Sequence, residues 1–175
     1  MRIISGIYKS RILKPPASNK VRPTSDRAKE TLFNVLKNII DLDGITCLDL
    51  FCGTGNLGLE SISRGAEKCY YVDTDIKLVL KNIEQLDAED KCQVFKMEAI
   101  AFLNKFSDLN IDLAFCDPPF YYNEYDKLLE KISTMKTILA LEHSEKIVIK
   151  SKFEKFVLLR KKIGTVHFTF FDFNK

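Results

Sequence analysis

The stretch "DLFCGTGNLG", residues 49–58, decides how the rest of this chain can be interpreted. Its glycines, Gly53, Gly55 and Gly58, satisfy the pattern G-x-G-x-x-G, and they follow a short apolar run that is typical of a buried strand. Asp73 lies 20 residues after Gly53, at the end of the next strand-like run. A strand, a glycine-rich loop and a helix in this order predict a loop whose backbone a ligand can approach closely.

Strand-like and helix-like segments alternate along the chain around this loop. Strands are predicted at 46–51, 68–73, 92–97, 111–117 and 146–150. Helices are predicted between them, at 57–64, 75–86, 98–106 and about 124–139. Two further strands, near 155–161 and 165–173, are joined by Lys162-Ile163-Gly164 and predict a hairpin. We therefore expect an α/β fold whose seven-stranded sheet is mostly parallel and ends in an antiparallel C-terminal hairpin.

The N-terminal part differs from this alternation. Residues 1–16, "MRIISGIYKSRILKPP", place two short apolar pieces around a polar turn and predict a small β-hairpin. A helix is expected next, which Thr24 or Ser25 can cap. Its apolar side chains recur at helical spacing and are Leu32, Val35, Leu36, Ile39 and Ile40. We divide the chain into a basic extension, residues 1–24, and a Rossmann-like domain, residues 25–175.

The composition is that of an ordered globular chain. Of its 175 residues, 46% are hydrophobic, yet no apolar run approaches the roughly 20 residues that cross a bilayer, and no signal-peptide pattern is seen. The five cysteines form no C-x-x-C pair, so neither a zinc site nor a disulfide framework is indicated. We expect a cytoplasmic protein with free thiols, no membrane partner and no metal.

Positive charge is concentrated near the N-terminus. Residues 1–29 carry eight lysines and arginines against one acid, a balance of +7, whereas the remaining residues have a balance of −4. Lysine and arginine contacts to phosphates release counterions, so the basic segment predicts a polyanionic partner such as a nucleic acid. The alternative is a solvated basic segment that only aids solubility.

Asp49 argues against a dinucleotide as the ligand of the glycine loop. A pyrophosphate docked beside this carboxylate would be repelled in a partly dry cleft. S-adenosylmethionine carries no phosphate, and its ammonium and sulfonium groups suit an acidic loop. Asp73 can then accept both ribose hydroxyls, or it can instead cap the following helix. Glu98 can meet the adenine amino group, or it can be a first-turn acid that the helix dipole favours.

A second motif, "DPPF" at residues 117–120, follows the fourth predicted strand. Because parallel strands bind ligands beyond their carboxyl ends, we expect Asp117 to converge there with Asp49 and Asp73. Proline fixes its own backbone angle and has no N–H, so this turn is rigid. Alone, Asp-Pro-Pro is also a common turn at a strand exit. Together with the glycine loop it favours a methyl-transfer site.

The two motifs resemble those of the amino-methyltransferases that use S-adenosylmethionine, in which Asp, Asn or Ser precedes Pro-Pro and an aromatic residue. Over nearly the whole chain, the sequence is similar to the RsmD family, bacterial methyltransferases of a guanine in small-subunit ribosomal RNA. The resemblance is carried by "MRIISGIYKSRIL", "RPTSDRAKETLFN", "LDLFCGTGNLGLESISRGA", "DPPF" and "LEHS". It implies a Rossmann-like class I methyltransferase fold and methylation of guanine N2 in 16S rRNA.

The residue types at "DPPF" suit this reaction. An exocyclic amine is a poor nucleophile because its lone pair is delocalised into the base. Asp117 and the Pro118 carbonyl can each accept one of its N–H groups, and Phe120 can stack on an extruded base. The expected cofactor-binding residues are Asp49, Phe51, Gly53, Gly55, Asp73, Glu98 and Thr24.

The resemblance also implies where RNA binds. "RPTSDR" matches a family-specific segment, which implies a wall beside the cofactor and RNA clefts. The expected RNA-binding residues are Arg2, Lys9, Arg11, Lys14, Arg22, Arg27 and Tyr122. Tyr121, Tyr122 and Tyr125 can line the base pocket or simply pack, and we assign His143 no catalytic role. The implied partner is ribosomal RNA, within the small subunit or an assembly intermediate, and we expect the protein to act as a monomer.

Three other functions stay open from the sequence. They are a DNA methyltransferase of adenine N6 or cytosine N4, a dinucleotide oxidoreductase, and a non-catalytic RNA-binding assembly factor. The chain also departs from the family at two positions. It has Asp73 where many relatives carry Glu, and Glu98 where Asp or Asn is usual, which puts the adenine contact in doubt.

Overall fold

The computed structural model describes residues 1–16, 26–164 and 166–175. Its strands are β1 Thr46–Leu50, β2 Lys68–Asp73, β3 Cys92–Lys96, β4 Leu113–Cys116, β5 Ile138–His143, β6 Val157–Ile163 and β7 Val166–Asp172. Its α-helices are α1 Asp26–Leu36, α2 Asn56–Ser63, α3 Lys77–Leu86, α4 Ala99–Lys105 and α5 Tyr125–Ser133. No helix in these ranges is both long and apolar enough to cross a bilayer.

The seven strands form one sheet in the order β3-β2-β1-β4-β5-β7-β6. Strands β1 to β5 pair in parallel, whereas β7 is antiparallel to both β5 and β6. The predicted mostly parallel sheet with an antiparallel C-terminal hairpin is therefore confirmed. The direction of winding reverses between β1 and β4, and this switch point is where an open α/β sheet binds its ligand.

The central strands are apolar on both faces because helices cover both faces. Alternate residues of β1 enter different clusters, with Cys47 on one side and Leu48 and Leu50 on the other. Helices α1, α2 and α3 supply the first cluster, and α4 and α5 supply the second. This arrangement explains why these strands have nearly continuous hydrophobic runs rather than alternating ones.

The N-terminal residues 1–16 turn back on themselves and lie against α2. Arg2 and Ile12 form a single antiparallel bridge, which is all that remains of the predicted hairpin as regular strand structure. At the turn, Gly6 has a φ of +85°, and a Cβ atom there would lie 1.5 Å from the Ser63 carbonyl oxygen. Only glycine fits this approach, so the segment is seated closely on the end of α2.

The same segment contributes to the core of the main domain. Ile3 and Leu13 are fully buried in the cluster formed by α1, α2 and α3. Our proposed boundary between residues 24 and 25 stays a prediction. Arg22, Thr24 and the expected cap at Ser25 lie outside the described residues.

Lys29 of α1 is a fully buried lysine whose ammonium group has three acceptors. Its Nζ lies 2.9 Å from Glu60 Oε2, 2.8 Å from Asn56 Oδ1 and 2.7 Å from the Arg2 carbonyl oxygen. Burial lowers the pKa of Lys29, and the Glu60 carboxylate opposes that shift. The contacts join α1, α2 and the N-terminal segment in one place.

Glu60 of α2 is the other half of this buried pair. Its Oε2 accepts the Ile4 N–H at 2.8 Å, and its Oε1 accepts the Ser5 N–H at 3.1 Å. Arg64 Nε donates to Oε1 at 2.8 Å. A buried carboxylate is tolerated when its lone pairs are used in this way, and here it fixes the path of the N-terminal segment.

Two sequence-based boundaries are corrected by the structure. The fifth strand was predicted at 146–150 but lies at Ile138–His143, and the preceding helix ends at Ser133 rather than near 139. "KIVIK" has the β-branched pattern of a strand, but it lies on the surface with Val148 86% exposed. Burial on both faces, rather than intrinsic propensity, selects the strand. Helix α1 likewise ends at Leu36, and a turn brings Ile39 and Ile40 to the core.

Lys29→Met should lower the free energy of unfolding by about 3 kcal/mol, because it leaves buried acceptors without their cationic partner. Urea denaturation followed by circular dichroism measures this change. The control is Lys37→Met, at an exposed lysine just after α1, which should stay within about 0.5 kcal/mol of the wild type. Equal effects of the two substitutions would contradict the role that we assign to Lys29.

Candidate active site

A cleft of about 800 Å³ opens at the carboxyl ends of the parallel strands. Each of these five strands contributes lining residues at or just beyond its end. In strand order along the chain, they include Asp49 and Gly53, Asp73, Glu98, Asp117 to Tyr122, and Glu142. The sheet therefore brings the two sequence motifs together, as expected for a switch-point site.

The glycine loop after β1 is shaped by left-handed backbone conformations. Phe51, Gly53 and Gly55 have φ values of 59°, 51° and 74°. A Cβ atom on Gly53 would meet nothing within 4 Å, so this backbone is open to the cleft. A Cβ on Gly55 would lie 2.6 Å from Val79 Cγ2, and Gly55 does not line the cleft. Gly53 thus leaves room for a ligand, whereas Gly55 allows α3 to pack.

Asp49 lies inside β1 and is only 3% exposed. Its Oδ2 accepts the Gly58 N–H of α2 at 2.9 Å. Burial raises the pKa of Asp49 to about 8, and the charges of Asp117 and Asp73 add to this rise while the Gly58 N–H opposes it. Near neutral pH this carboxyl is largely protonated, and a cation in the cleft would favour its ionised form.

Asp73 accepts hydrogen bonds from two backbone N–H groups at the edge of the cleft, and its contact with the ribose hydroxyls stays a prediction. Its Oδ2 accepts the Gly53 N–H at 2.8 Å, and its Oδ1 accepts the Asp75 N–H at 3.0 Å. The first bond holds the glycine loop and the second shapes the approach to α3. Glu98 immediately precedes α4 and is exposed at the cleft, but its side chain makes no capping hydrogen bond. It is therefore available for a ligand.

The "DPPF" turn places a carboxyl group, a backbone carbonyl and an aromatic ring at the cleft. Pro118 is buried, and the Pro119 carbonyl accepts the Tyr122 N–H at 2.8 Å, which closes the turn. In the described ranges no hydrogen bond uses the Pro118 carbonyl oxygen. Burial raises the pKa of Asp117 above its ordinary value. Phe120 is 85% exposed, so its ring has a free face.

An aromatic chain connects this turn to the glycine loop. The rings of Phe51 and Tyr122 meet edge to face with centroids 5.1 Å apart, and Tyr122 meets Tyr125 in the same manner at 5.3 Å. Burial raises the pKa of Tyr125 to about 12, so this phenol stays neutral. Tyr122 and Tyr125 therefore both pack and line the cleft, whereas Tyr121 is exposed at its rim.

Glu142 is a cleft residue that the sequence reasoning missed. Cys116 of β4 pairs with Leu141 of β5, so Asp117 and Glu142 are the next residues of two adjacent parallel strands. The Oε2 atom of Glu142 is buried and has no hydrogen-bond partner in the part of the chain that the structure describes. The signal was present in "LEHS", but the misplaced fifth strand concealed it. The neighbouring His143 is held by Thr169 Oγ1, 2.8 Å from its Nε2.

Burial also affects the acidity of this carboxyl. It raises the pKa of Glu142, and the charge of Asp117 raises it further. Two carboxyls on adjacent strand ends therefore resist being ionised together. Hydrogen-bond donors or a cation in the cleft would relieve this repulsion.

Comparison with known proteins agrees with this arrangement. The family described as "Conserved hypothetical protein 95", the RsmD family, matches residues 1–172. The protein YlbH of Bacillus subtilis is 33% identical over 171 residues, which is 92% of each chain. This chain belongs to the RsmD family.

Other relatives of this RsmD-family chain are more distant or match in part. The Haemophilus influenzae protein named "Ribosomal RNA small subunit methyltransferase D" is 37% identical over 128 residues, 70% of this chain and 65% of that protein. The solved structure of yhhF from Escherichia coli is 27% identical and superposes with a TM-score of 0.81, covering 98% of this chain and 97% of that one.

The N-terminal segment of this family member forms one side of the cleft. Met1 and Pro16 line it. Buried Asn82 of α3 accepts the Lys14 N–H at 2.7 Å and donates to the Thr54 carbonyl oxygen at 2.9 Å. This one side chain ties the N-terminal segment to the glycine loop.

Of the basic side chains expected to bind RNA, the described ones lie outside the cleft lining, and Arg22 is outside the described residues. Arg2 Nε pairs with Asp26 Oδ2 at 3.0 Å, and Arg11 donates to the Gln85 carbonyl oxygen. The remaining described ones are exposed and are Lys9, Lys14 and Arg27. Across the described ranges, no cluster of three or more His, Cys, Asp or Glu side chains is arranged to hold a metal ion.

For Asp49→Asn we expect stability that falls less steeply with pH than in the wild type. The folded pKa of about 8 lies above the ordinary value of 3.8, so the folded state keeps a proton that the unfolded state loses. Between those values the free energy of unfolding decreases as pH rises, by up to about 1.4 kcal/mol per pH unit. Asparagine can still accept the Gly58 N–H but does not titrate.

Urea denaturation of both proteins at several pH values from about 5 to about 8 tests this linkage. The variant should become progressively more stable than the wild type as pH rises. Asp108→Asn, at an exposed aspartate, is the control and should leave the pH dependence unchanged. A difference between Asp49→Asn and the wild type that does not vary with pH would contradict a protonated Asp49.

Proposed function

We propose that this protein methylates the exocyclic N2 amine of a guanine in 16S ribosomal RNA, with S-adenosylmethionine as the methyl donor. The observation that carries the proposal is the meeting of the glycine loop and the "DPPF" turn at one cleft, in a chain of the RsmD family. The name of the Haemophilus influenzae relative, a small-subunit ribosomal RNA methyltransferase, supports RNA over DNA as the substrate.

The cleft fits the proposed cofactor on its own structural features. Asp49 is a buried carboxyl whose ionised form a nearby cation would favour, and Gly53 leaves open space beside its backbone. Asp73 is half-buried at the cleft with carboxylate oxygens near the loop. These residues, with Phe51 and Glu98, would hold S-adenosylmethionine. When bound, it supplies a methyl group activated by a sulfonium.

The "DPPF" turn would hold the amine that receives the methyl group. Asp117 accepts one N–H of the amine, and the Pro118 carbonyl, which is unused in the described structure, accepts the other. Both contacts favour a nitrogen whose lone pair is localised. The nitrogen would gain the methyl group as the bond from that carbon to the sulfonium breaks, leaving a neutral thioether, and it would lose one proton to Asp117 or to solvent. The free face of Phe120 can stack on the extruded base.

In such a reaction, alignment of the amine with the methyl group makes the largest contribution to the rate. Direct transfer needs no covalent intermediate with the protein, so the rate depends on holding the amine in place and excluding water. Three features would hold the amine in place. They are the glycine loop with its positive φ angles, the proline turn, and the ring contacts between Phe51, Tyr122 and Tyr125.

We further propose that the protein acts as a monomer. Its RNA substrate would then be part of the small subunit or of one of its assembly intermediates. The support is electrostatic: residues 1–29 carry a balance of +7, and four basic side chains of the N-terminal segment are exposed. Contacts of this kind position RNA without reading its sequence. The folded shape of the substrate would then supply part of the selection.

The reaction is tested with methyl-labelled S-adenosylmethionine and three substrates in parallel. These are small subunits that lack the modification, naked 16S rRNA and duplex DNA, and the products are digested to nucleosides for mass spectrometry. We expect N2-methylguanosine from RNA, at least ~100-fold less of it with Asp117→Ala, and unchanged turnover with Asp108→Asn. Methylated adenine or cytosine from DNA, or full activity of Asp117→Ala, would contradict the proposal.

Charge reversal at Arg11 and Lys14 should weaken RNA binding and reduce its salt dependence. Each lost phosphate contact lowers the slope of log affinity against log salt by roughly 0.7 to 0.9, so the double variant Arg11→Glu/Lys14→Glu should lose roughly 1.5. Filter binding across a salt series measures this slope. The control is Lys161→Glu/Lys162→Glu, the same change on exposed residues of edge strand β6. Equal slopes for the two variants would contradict a specific role of Arg11 and Lys14 in phosphate contacts.

A further inference from the structure

Within the described residues, the two buried side-chain oxygens that lack any hydrogen-bond partner lie on the same cleft. They are Glu142 Oε2 and Tyr122 Oη. Buried polar atoms are nearly always paired, because an unpaired one loses the hydrogen bonds that it made to water. As an ionised carboxylate, Glu142 can only accept, so the partner that would favour this form and satisfy Oε2 is a hydrogen-bond donor entering the cleft.

The position of Glu142 restricts what that donor can be. Glu142 follows Leu141 just as Asp117 follows Cys116, and those two residues are paired across β4 and β5. Paired residues of parallel strands point to the same face, so the two carboxyls are neighbours at one end of the sheet. Whatever group Asp117 holds, Glu142 is placed to meet the adjacent group on the same ligand.

We propose that Glu142 selects guanine as the substrate base by accepting its N1–H, while Asp117 accepts the neighbouring N2 amine. This inference rests on the proposed function. On guanine, N1–H and the N2 amine are adjacent donors on the Watson–Crick edge, the edge by which extruded bases are read. Two adjacent carboxyls are the complement of two adjacent donors.

Other amine-bearing bases do not match this pair. Adenine presents the bare N1 acceptor beside its N6 amine, and cytosine presents the bare N3 acceptor beside its N4 amine. A carboxylate at Glu142 would face that lone pair and repel it. A site built to hydrogen-bond a donor discriminates strongly against an analogue that lacks the donor, since the protein group is then left buried and unpaired.

Among the described residues, no donor makes a hydrogen bond to Glu142 Oε2. Asp117 lies just beyond the adjacent strand β4, burial raises its pKa, and burial together with the charge of Asp117 raises the pKa of Glu142. Tyr122 and Tyr125 approach from the "DPPF" turn and α5, and His143 is already held by Thr169 and the Ser144 carbonyl oxygen. Two N–H donors from a base would relieve the repulsion between the carboxyls.

A single change in the substrate tests the contact. Synthetic RNA fragments carry either guanine or 2-aminopurine at the position that the wild-type product identifies. 2-Aminopurine keeps the N2 amine but has an N1 lone pair where guanine has N1–H. Methyl transfer to each RNA is measured as kcat/KM for the wild type and for Glu142→Gln, whose amide can donate to that lone pair.

The expected result is a change in preference, not only in rate. The wild type should prefer guanine by at least ~100-fold, and Glu142→Gln should reduce that preference at least ~10-fold. Glu142→Asp, which keeps a carboxylate, should retain a preference for guanine. Glu145→Gln removes an exposed carboxylate at the rim of the same cleft and should leave the preference unchanged.

A ratio of rates is insensitive to a general loss of folded protein, and the missing O6 of 2-aminopurine affects all variants alike. An unchanged ratio in Glu142→Gln, with guanine still methylated by the wild type, would overturn this inference and leave the proposed function intact. Failure of the wild type to methylate the guanine RNA would overturn both.

Discussion

Parallel strands end at the same edge of a sheet, and in this protein the ends of β1 to β5 each place an acidic side chain at one cleft. These residues lie near or just beyond the strand ends and are Asp49, Asp73, Glu98, Asp117 and Glu142. Burial, with repulsion from Asp117 and Asp73, raises the pKa of Asp49 to about 8. Burial also raises the pKa of Asp117, and burial and the charge of Asp117 raise that of Glu142. The crowding is unfavourable for the protein alone, and it is relieved by ligands that bring a cation or N–H donors. The cofactor and the base that we propose do both.

A second buried charge cluster has the opposite character, because its members are fully paired. Lys29 and Glu60 have no exposed side-chain surface, yet every proton of the ammonium and both carboxylate oxygens have partners. Asn82 adds a separate tie between Lys14 and the loop at Thr54. These contacts stabilise the fold and keep the N-terminal segment beside the glycine loop. The paired charges of Lys29 and Glu60 stabilise the fold, whereas the carboxyls of the cleft are available to bind ligands.

Much of the fold followed from the sequence because its signals are local. The alternation of apolar runs and helical patterns gave β1 to β4 within a residue or two at most ends, and the glycine and proline motifs located the cleft. The fifth strand was misplaced because "ILALEH" lacks β-branched residues after its first position, whereas exposed "KIVIK" is rich in them. Glu142 was hidden by that error. The Lys29–Glu60 pair joins residues far apart in sequence, and only tertiary packing brings them together.

We expect a protonated, buried Asp49 to become ionised when the cation of the cofactor enters the cleft. Titration calorimetry of S-adenosylmethionine at pH 7, repeated in buffers of different ionisation enthalpy, measures the protons exchanged on binding. About one proton should be released per bound cofactor, and Asp49→Asn should remove most of this release. Binding heats that are the same in every buffer would mean that no proton is exchanged and that Asp49 does not ionise on binding.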